Sequence, residues 1–223
     1  MTTVTLSRET LLDGSFRAAM RAALGPGARL MSDAERDAQV RDMLVRAPVP
    51  GRVWVFAFGS LIWNPAFAFA ERQPARIHGF HRKFSLWSRA GRGSPDRPGL
   101  MLSLEAGGSC AGVAYRLAPG TEATELDAIW QREMLALAYR PVWTVARTPE
   151  GREPVIAFTA NRAHERYAPG LDTDTIARTL ASGVGPMGRA CDYLFDTVAH
   201  LRTLGIHDRR LEAIEAKVRA LSR

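Results

Sequence analysis

VWVFAFGSLIW, at residues 53–63, is the stretch that decides the fold, because six consecutive apolar residues run directly into Gly59 and Ser60. A strand with one face in water would alternate apolar and polar residues, so this run, rich in β-branched and aromatic types, predicts a strand covered on both faces. Gly59 can adopt a positive φ and lets a ligand approach the backbone, while the surrounding N–H groups and the Ser60 hydroxyl could bind an anion or a carbonyl oxygen. The stretch therefore predicts either a ligand-binding loop or a tight turn between two core elements.

Outward from this strand, the sequence predicts an α+β fold. Six segments between Gly, Pro or Asp breaks have strand character: 53–58, 76–87, 100–104, 110–117, 142–145 and 154–158. One helix, roughly 122–138, is inserted among them, and there is no βαβ alternation. This order favours a small mixed or antiparallel barrel over a doubly wound sheet. C-terminal helices are expected to begin near Asp172, Pro186 and Asp208, with stops at Gly183 and Gly205.

Residues 1–50 differ in character from the rest and predict an N-terminal helical extension before a catalytic domain at 51–223. Apolar residues recur at helical spacing until Gly25-Pro26-Gly27 interrupts them, and Ser32 with Glu35 forms a capping box for the next helix. Two interpretations are open. The extension either covers a barrel edge, or it packs over the site or forms a dimer contact.

Composition excludes several classes of protein. The chain has 223 residues, 46% of them hydrophobic, which is enough for one sizeable core. Cys110 and Cys191 form no disulfide framework, and no Cys or His spacing suggests zinc, so no metal is expected. The N-terminus lacks an apolar signal-peptide region and no run reaches about 18 apolar residues, so neither secretion nor a membrane span is expected and a cytoplasmic location is predicted.

The net charge of +7 raises the question of nucleic acid. The excess is almost all arginine, scattered in ones and twos rather than gathered in one stripe, which argues against a nucleic-acid surface. A small anionic substrate would still be attracted by the general positive field.

Glu133 is the most unusual charged residue of the inserted helix. One helical face is shared by Leu126, Ile129, Trp130 and Leu137. Glu133 lies on that same face, two turns after Leu126. A carboxylate buried there must be hydrogen-bonded, paired or held with a raised pKa. An ion pair with Arg132 or Arg140 and a catalytic role are both consistent with this position. The remaining acidic residues, Glu122, Glu125 and Asp127, lie off the stripe and are expected to be solvated.

Other candidate groups are weaker. His78 and His81 are three apart in a predicted strand and so face opposite ways, which argues against a shared metal. Ser60 is not in a nucleophile elbow, and the chain has no phosphate-binding loop motif. The arginines of the 89–99 loop could meet a substrate carboxylate or simply be solvated.

Four motifs occur in an order that resembles the ChaC-like γ-glutamylcyclotransferases. They are W-V-F-x-x-G-S-L-I-W-x-P from Trp54, G-V-A-Y-R-L at 112–117, R-E at 132–133, and G-P-x-G-R at 185–189 leading to D-Y-L-F at 192–195. The resemblance spans roughly residues 53–204. Ala57 and Phe58 stand where the family commonly has Gly and Tyr, and the stretch from Glu133 to Tyr139 is two residues longer than the family's.

The resemblance implies a γ-glutamylcyclotransferase-like mixed barrel that cleaves glutathione to 5-oxoproline and Cys-Gly without a cofactor. Glu133 stands at the position of the family's catalytic glutamate, the general acid and base. The implied substrate-binding residues are Val55, Phe56, Ala57, Phe58, Gly59, Ser60 and Leu61, with Tyr193 lining the pocket. Two alternatives remain at this stage: the same fold acting on another γ-glutamyl amide or amine, and a non-enzymatic basic module that binds RNA or protein.

Overall fold

A closed five-stranded barrel forms the centre of the molecule in the computed structural model, which describes residues 5–25 and 27–221. Its strands are β1 (Trp54–Ala57), β2 (Glu71–Ser88), β3 (Gly99–Arg116), β4 (Tyr139–Thr148) and β5 (Gly151–Ala160). The order around the barrel is β1-β3-β2-β4-β5, and β1 and β3 each also pair in parallel with β5. The prediction of a small mixed barrel is confirmed.

The two long strands β2 and β3 differ from the predicted segments. The segments 100–104 and 110–117 are parts of the single strand β3, so the barrel has five strands where six were predicted. Gly107 and Gly108 adopt φ values of 96° and 72° inside β3, and the pairing with β2 shifts register there. The two glycines therefore form a β-bulge, and the pairing of β3 with β2 continues on both sides of it. From the sequence alone, the same glycines predict the end of a strand.

Seven α-helices and a short hairpin complete the described part of the chain. The helices are α1 (Arg8–Leu12), α2 (Ser15–Leu24), α3 (Asp33–Val45), α4 (Glu122–Glu133), α5 (Thr173–Ser182), α6 (Ala190–Thr203) and α7 (Arg209–Leu221). Asp172 caps α5, and the Ser32–Glu35 capping box is present. The start predicted near Pro186 is wrong, because β6 (Val184–Gly185) and β7 (Gly188–Arg189) pair before α6 begins.

The inserted helix α4 ends at Glu133, five residues earlier than predicted. Leu137 adopts φ 58°, a left-handed conformation that a helix cannot contain. Its N–H donates to the Met134 carbonyl at 2.9 Å, and the Asn161 side chain donates to the Leu137 carbonyl at 3.0 Å. This turn places Glu133 on the last turn of α4 and delivers the chain to Tyr139, the first residue of β4.

Helices α1 to α3 pack on α4. Leu11, Phe16 and Leu30 form a second apolar cluster with Ala128 and Leu135, and Pro26 of the predicted break lies outside the described residues. The extension therefore packs on the inserted helix, whereas its role and the boundary between it and a catalytic domain stay predictions.

Glu125 anchors this packing, and the prediction that it is solvated is wrong. Only 1% of the residue is exposed. Arg8 donates to it from Nε at 3.1 Å and from Nη2 at 2.5 Å, and the Ala68 N–H donates at 2.8 Å. The apolar stripe of α4 faces the barrel, whereas Glu125 is buried on another face by the extension, which helical periodicity alone does not reveal.

Both cysteines, Cys110 and Cys191, are buried free thiols. Across residues 5–25 and 27–221, no helix combines the length and apolar character needed to cross a membrane.

Candidate active site

A narrow pocket lies where β1 ends, beside the last turn of α4 and the first half of α6. Its lining residues are Phe58, Gly59, Ser60, Leu61, Leu102, Glu133, Tyr139 and Tyr193. The enclosed volume is about 10 Å³, room for roughly one water molecule. Five of the predicted binding residues and the predicted catalytic residue therefore share one small cavity.

The loop after β1 turns into a 3₁₀ helix at Ser60–Ile62. Ile62 donates to the Gly59 carbonyl and Trp63 to the Ser60 carbonyl, but no described residue accepts a hydrogen bond from the N–H groups of Gly59, Ser60 or Leu61. Orphan donors are inherent to a helix start, and successive backbone N–H groups of this kind can bind an anion. The loop can thus offer backbone N–H groups to a carbonyl or carboxylate oxygen.

Gly59 is needed here for closeness of approach rather than for its dihedral angle. Its φ is −137°, so the positive φ that glycine can adopt is not used here. A Cβ atom at this position would lie 2.9 Å from the Tyr193 hydroxyl oxygen, closer than real Cβ atoms come to such an atom. Any side chain at this position would force either the loop or the Tyr193 side chain to shift.

Arg132 joins the carboxylate to the loop. Its side chain is only 5% exposed, and its Nε lies 3.0 Å from Glu133 Oε1. From Nη2 it donates to Ser60 Oγ at 2.8 Å, and from Nη1 to the carbonyls of Asn64 and Pro65. One guanidinium therefore holds both the candidate base and the loop that carries the orphan N–H groups.

The electrostatics of Glu133 are dominated by burial. Desolvation raises the pKa of the Glu133 carboxyl above its usual value, and the neighbouring Arg132 only partly opposes this. Burial likewise lowers the pKa of the Arg132 guanidinium. A carboxylate in this setting is a stronger base than one in water, as proton transfer from an amine requires.

Two phenols stand beside the carboxylate. Burial, together with the negative charge of Glu133, raises the pKa of both Tyr139 and Tyr193. Both hydroxyls therefore keep their protons at neutral pH, and Tyr139 donates its own to the Leu102 carbonyl at 2.7 Å. The cavity thus combines one basic group with protonated hydroxyl donors.

A wider outer pocket of about 160 Å³ adjoins the narrow one. Ser60, Arg132 and Tyr193 border it, together with Leu6, Trp63, Asn64, Arg92 and Met187. The Arg92 guanidinium lies 5.8 Å above the Trp63 ring, and Asn64 Nδ2 donates to the Leu6 carbonyl at 3.1 Å. The segment before α1 therefore forms part of the mouth of the site.

Three predicted binding residues lie elsewhere. Val55, Phe56 and Ala57 are fully buried in β1, where they pair with β3 and form the barrel wall. They do not line the pocket, because only the residues after the last ladder pair are free to turn into it. Of the predicted binding stretch from Val55 to Leu61, only Phe58, Gly59, Ser60 and Leu61 line the pocket.

Leu102 and Tyr139 line the pocket although sequence reasoning did not select them. Tyr139 follows the Arg-Glu motif by six residues, and the left-handed turn at Leu137 lies between them and brings Tyr139 to the pocket. Leu102 has no polar signature in the sequence, since it contributes through the barrel's inner face.

A larger cleft of about 700 Å³ lies away from Glu133, between the Gly107–Gly108 bulge and the start of α7. It contains several arginines, and its one carboxylate, that of Asp208, has a side chain 22% exposed. Within the described ranges, no group of three or more His, Cys, Asp or Glu side chains could hold a metal ion. The narrow pocket is the better candidate for chemistry.

Comparisons with known proteins agree with this geometry. The family model described as ChaC-like protein matches residues 53–221. The glutathione-specific gamma-glutamylcyclotransferase of Escherichia coli (strain K12) is 38% identical over 193 residues, which cover 86% of this chain and 84% of that protein. Gamma-glutamylcyclotransferase 2-3 of Arabidopsis thaliana is 32% identical over 178 residues, 75% of this chain and 88% of its own length.

Among solved structures, the glutathione-specific cyclotransferase from yeast superposes with a TM-score of 0.69 at 22% identity, covering 78% of this chain and 97% of that one. The protein therefore has the γ-glutamylcyclotransferase fold. It belongs to the ChaC-like family, as the motifs from Trp54 to Phe195 predicted.

Proposed function

We propose that this protein is a γ-glutamylcyclotransferase that cleaves glutathione to 5-oxoproline and Cys-Gly. One observation carries the proposal: Glu133, a carboxylate with a raised pKa and only 13% side-chain exposure, lines the same narrow cavity as Gly59, Ser60 and Leu61. The backbone N–H groups of these three residues have no hydrogen-bond acceptor among the described residues. Family membership supports the reaction type, and curated relatives with glutathione-specific activity in their names support the substrate.

The reaction needs little from the protein. The α-amine of the γ-glutamyl group attacks its own γ-carbonyl carbon, a C–N bond forms, and the amide bond to cysteine breaks. Nucleophile and electrophile are already tethered, so folding the substrate into a five-membered ring supplies much of the rate enhancement. Glu133 takes a proton from the α-ammonium, which frees the amine to attack, and gives that proton to the departing amide nitrogen. The ring nitrogen then loses its second proton, which Glu133 passes on to the amine of Cys-Gly. The products are 5-oxoproline with a neutral ring nitrogen and Cys-Gly with an ammonium group, so atoms and charge balance without water or a cofactor.

The loop from Gly59 to Leu61 provides the complementary function. Negative charge develops on the γ-carbonyl oxygen in the transition state, and preorganised N–H donors stabilise it there more than in the ground state. The hydroxyls of Tyr139 and Tyr193 border the same space. Because their pKa values are raised, they stay neutral and place no second negative charge beside the oxyanion.

The size of the cavities sets a requirement for binding. A γ-glutamyl group is larger than the inner pocket, so side chains at its mouth must move aside when the substrate enters. The Cys-Gly portion then occupies the outer pocket, where the half-buried Arg92 can pair with its terminal carboxylate. The overall positive charge of the protein favours the approach of an anionic tripeptide.

The test is to incubate the purified protein with glutathione and to quantify 5-oxoproline and Cys-Gly by mass spectrometry. Equimolar release of both is expected. N-acetyl-glutathione and the α-linked peptide Glu-Cys-Gly should remain intact, because one has no free amine and the other cannot close a five-membered ring.

Two results contradict the proposal. Cleavage of N-acetyl-glutathione at a comparable rate would show ordinary hydrolysis. Turnover of other γ-glutamyl amides in the absence of glutathione cleavage would retain the cyclotransferase reaction but exclude glutathione as the substrate.

A further inference from the structure

Arg82, on β2, is a buried guanidinium outside the site described above. Its side chain is only 2% exposed. It donates from Nη1 to Asp208 Oδ2 at 2.8 Å, from Nη2 to the Ala111 carbonyl at 2.6 Å, and from Nε to the Phe58 carbonyl. Because β3 lies between β1 and β2, the Arg82 side chain extends past β3 to contact the residue that follows β1.

The contact with Phe58 lies just beyond the last paired residue of β1, where no β-ladder hydrogen bond orients the backbone. The β1–β3 ladder ends at the pair Ala57 and Val113, so the peptide between Phe58 and Gly59 has no cross-strand partner in the described residues. The hydrogen bond from Arg82 is the one that fixes the Phe58 carbonyl. In a planar trans peptide the C=O and the following N–H point in opposite directions. Holding the Phe58 oxygen on the Arg82 side therefore directs the Gly59 N–H away from Arg82.

We propose that Arg82 is a positioning residue that holds the Gly59 N–H in the direction needed to stabilise the developing oxyanion. Asp208 in turn fixes the Arg82 guanidinium. Its Oδ2 accepts a hydrogen bond from Arg82, and its Oδ1 caps α7 by accepting from the N–H groups of Arg210 and Leu211. This inference rests on the proposed cyclotransferase function. It links the start of the last helix to the loop of the active site.

A purely structural role would have a different signature. If Arg82 only stabilised the fold, Arg82→Met would lower stability, because removing one partner of a buried ion pair leaves the other charge unpaired, but it would not change kcat in the folded protein. Removal of a positioning residue should instead lower kcat, since the oxyanion charge exists only in the transition state, and should leave KM nearly unchanged.

The experiment compares Arg82→Met with Arg116→Met. Arg116 also pairs with a carboxylate, Glu71, at 2.8 Å, but it lies opposite Trp54 at the other end of β1. With glutathione as substrate, Arg82→Met should lose at least tenfold in kcat with KM within threefold of wild type, and Arg116→Met should keep both values. In protein labelled with [15N]glycine, the Gly59 amide signal, assigned by its loss in Gly59→Ala, should shift in the first variant only.

Asp208→Asn serves if Arg82→Met does not fold, because asparagine can still cap α7. It should lose at least threefold in kcat and shift the Gly59 signal. Folded variants with wild-type kcat, an equal loss in Arg116→Met, or an unmoved Gly59 signal would each overturn the role of Arg82. If the wild-type protein does not cleave glutathione, the proposed function fails, and the Gly59 signal alone then decides whether Arg82 orients this peptide.

Discussion

Arg132 Nη2 lies 2.8 Å from Ser60 Oγ, so the residue that precedes the candidate base in the chain also holds the candidate binding loop. The same guanidinium contacts Glu133 through Nε. The spacing between proton acceptor and orphan N–H groups is thereby fixed by one rigid, planar group with several donors, a task for which arginine is suited and lysine is not. Adjacent residues of one helix end thus organise both halves of the site.

Replacing Glu133 by glutamine should abolish turnover without unfolding the protein. Glutamine retains the shape and an oxygen for Arg132, but it cannot carry a proton between amine and leaving group. We expect glutathione cleavage to fall by at least about 10³-fold, roughly 4 kcal/mol in activation free energy. Steady-state kinetics together with thermal unfolding checks this.

Glu122→Gln is the matched control for that variant, because Glu122 lies on the same helix but only accepts a hydrogen bond from the Gly120 N–H. It should behave as wild type. A Glu133→Gln protein that retains activity within tenfold of wild type would exclude Glu133 as the proton carrier.

The pH dependence of kcat/KM should show an acid limb above the usual range for glutamate, which is centred near about 4.3. Glu133 must be ionised to accept a proton, and burial raises its pKa, so activity falls as the pH decreases through that raised value. The limb should be measured with glutathione between pH 4 and pH 9. An acid limb at or below the usual glutamate value would contradict the assignment.

Adding a methyl group at Gly59 should lower activity, and the size of the loss should depend on the Tyr193 hydroxyl. The new Cβ would meet the Tyr193 hydroxyl oxygen at 2.9 Å, so Gly59→Ala should reduce kcat/KM by at least tenfold. Combined with Tyr193→Phe, which removes that oxygen, the loss from Gly59→Ala should shrink. The two effects should therefore be non-additive in a double-mutant cycle.

Gly27→Ala provides the control, because a Cβ at Gly27 meets nothing within 4 Å and Gly27 has no left-handed φ. Its kinetics should match wild type. Strictly additive effects of the Gly59 and Tyr193 substitutions would show that the two residues act independently.

The sequence predicted those parts of the site that follow the periodicity of a single strand or helix. The unbroken apolar run before Gly59 required a covered strand, and the carboxylate on the apolar face of α4 marked Glu133. Both follow from rules that act within a few residues. The barrel class followed in the same way, from the order of strands and the absence of crossover helices.

Long-range contacts could not be predicted in this way. Glu125 lies off the apolar face of α4, and only the packing of the N-terminal helices buries it. Arg82 lies in a predicted strand among other charged residues, and its bond to the Phe58 carbonyl depends on barrel closure. The position of Tyr139 depended on the left-handed turn at Leu137, whose conformation leucine rarely adopts and the sequence does not signal.

The ion pair between Arg8 and Glu125 should make attachment of the N-terminal helices sensitive to acid. Burial of Glu125 opposes its ionisation, but the hydrogen bonds from Arg8 and from the Ala68 N–H outweigh that effect and hold the pKa of Glu125 below its usual value. A carboxyl whose pKa is lower in the folded than in the unfolded state adds stability above the unfolded value, near about 4.3, and loses it as the pH falls through the folded value.

Glu125→Gln should therefore reduce the free energy of unfolding by about 1–2 kcal/mol at pH 7, since it replaces charge-assisted hydrogen bonds by neutral ones. The deficit should be smaller at acidic pH, because wild-type Glu125 loses its advantage as the pH falls through its lowered pKa. Urea unfolding at pH 7 and pH 3 measures both values, and Glu165→Gln, at an exposed position, should show no deficit at either pH. A Glu125→Gln deficit that is equally large at both pH values would show that lost packing, rather than the charge on Glu125, is responsible for it.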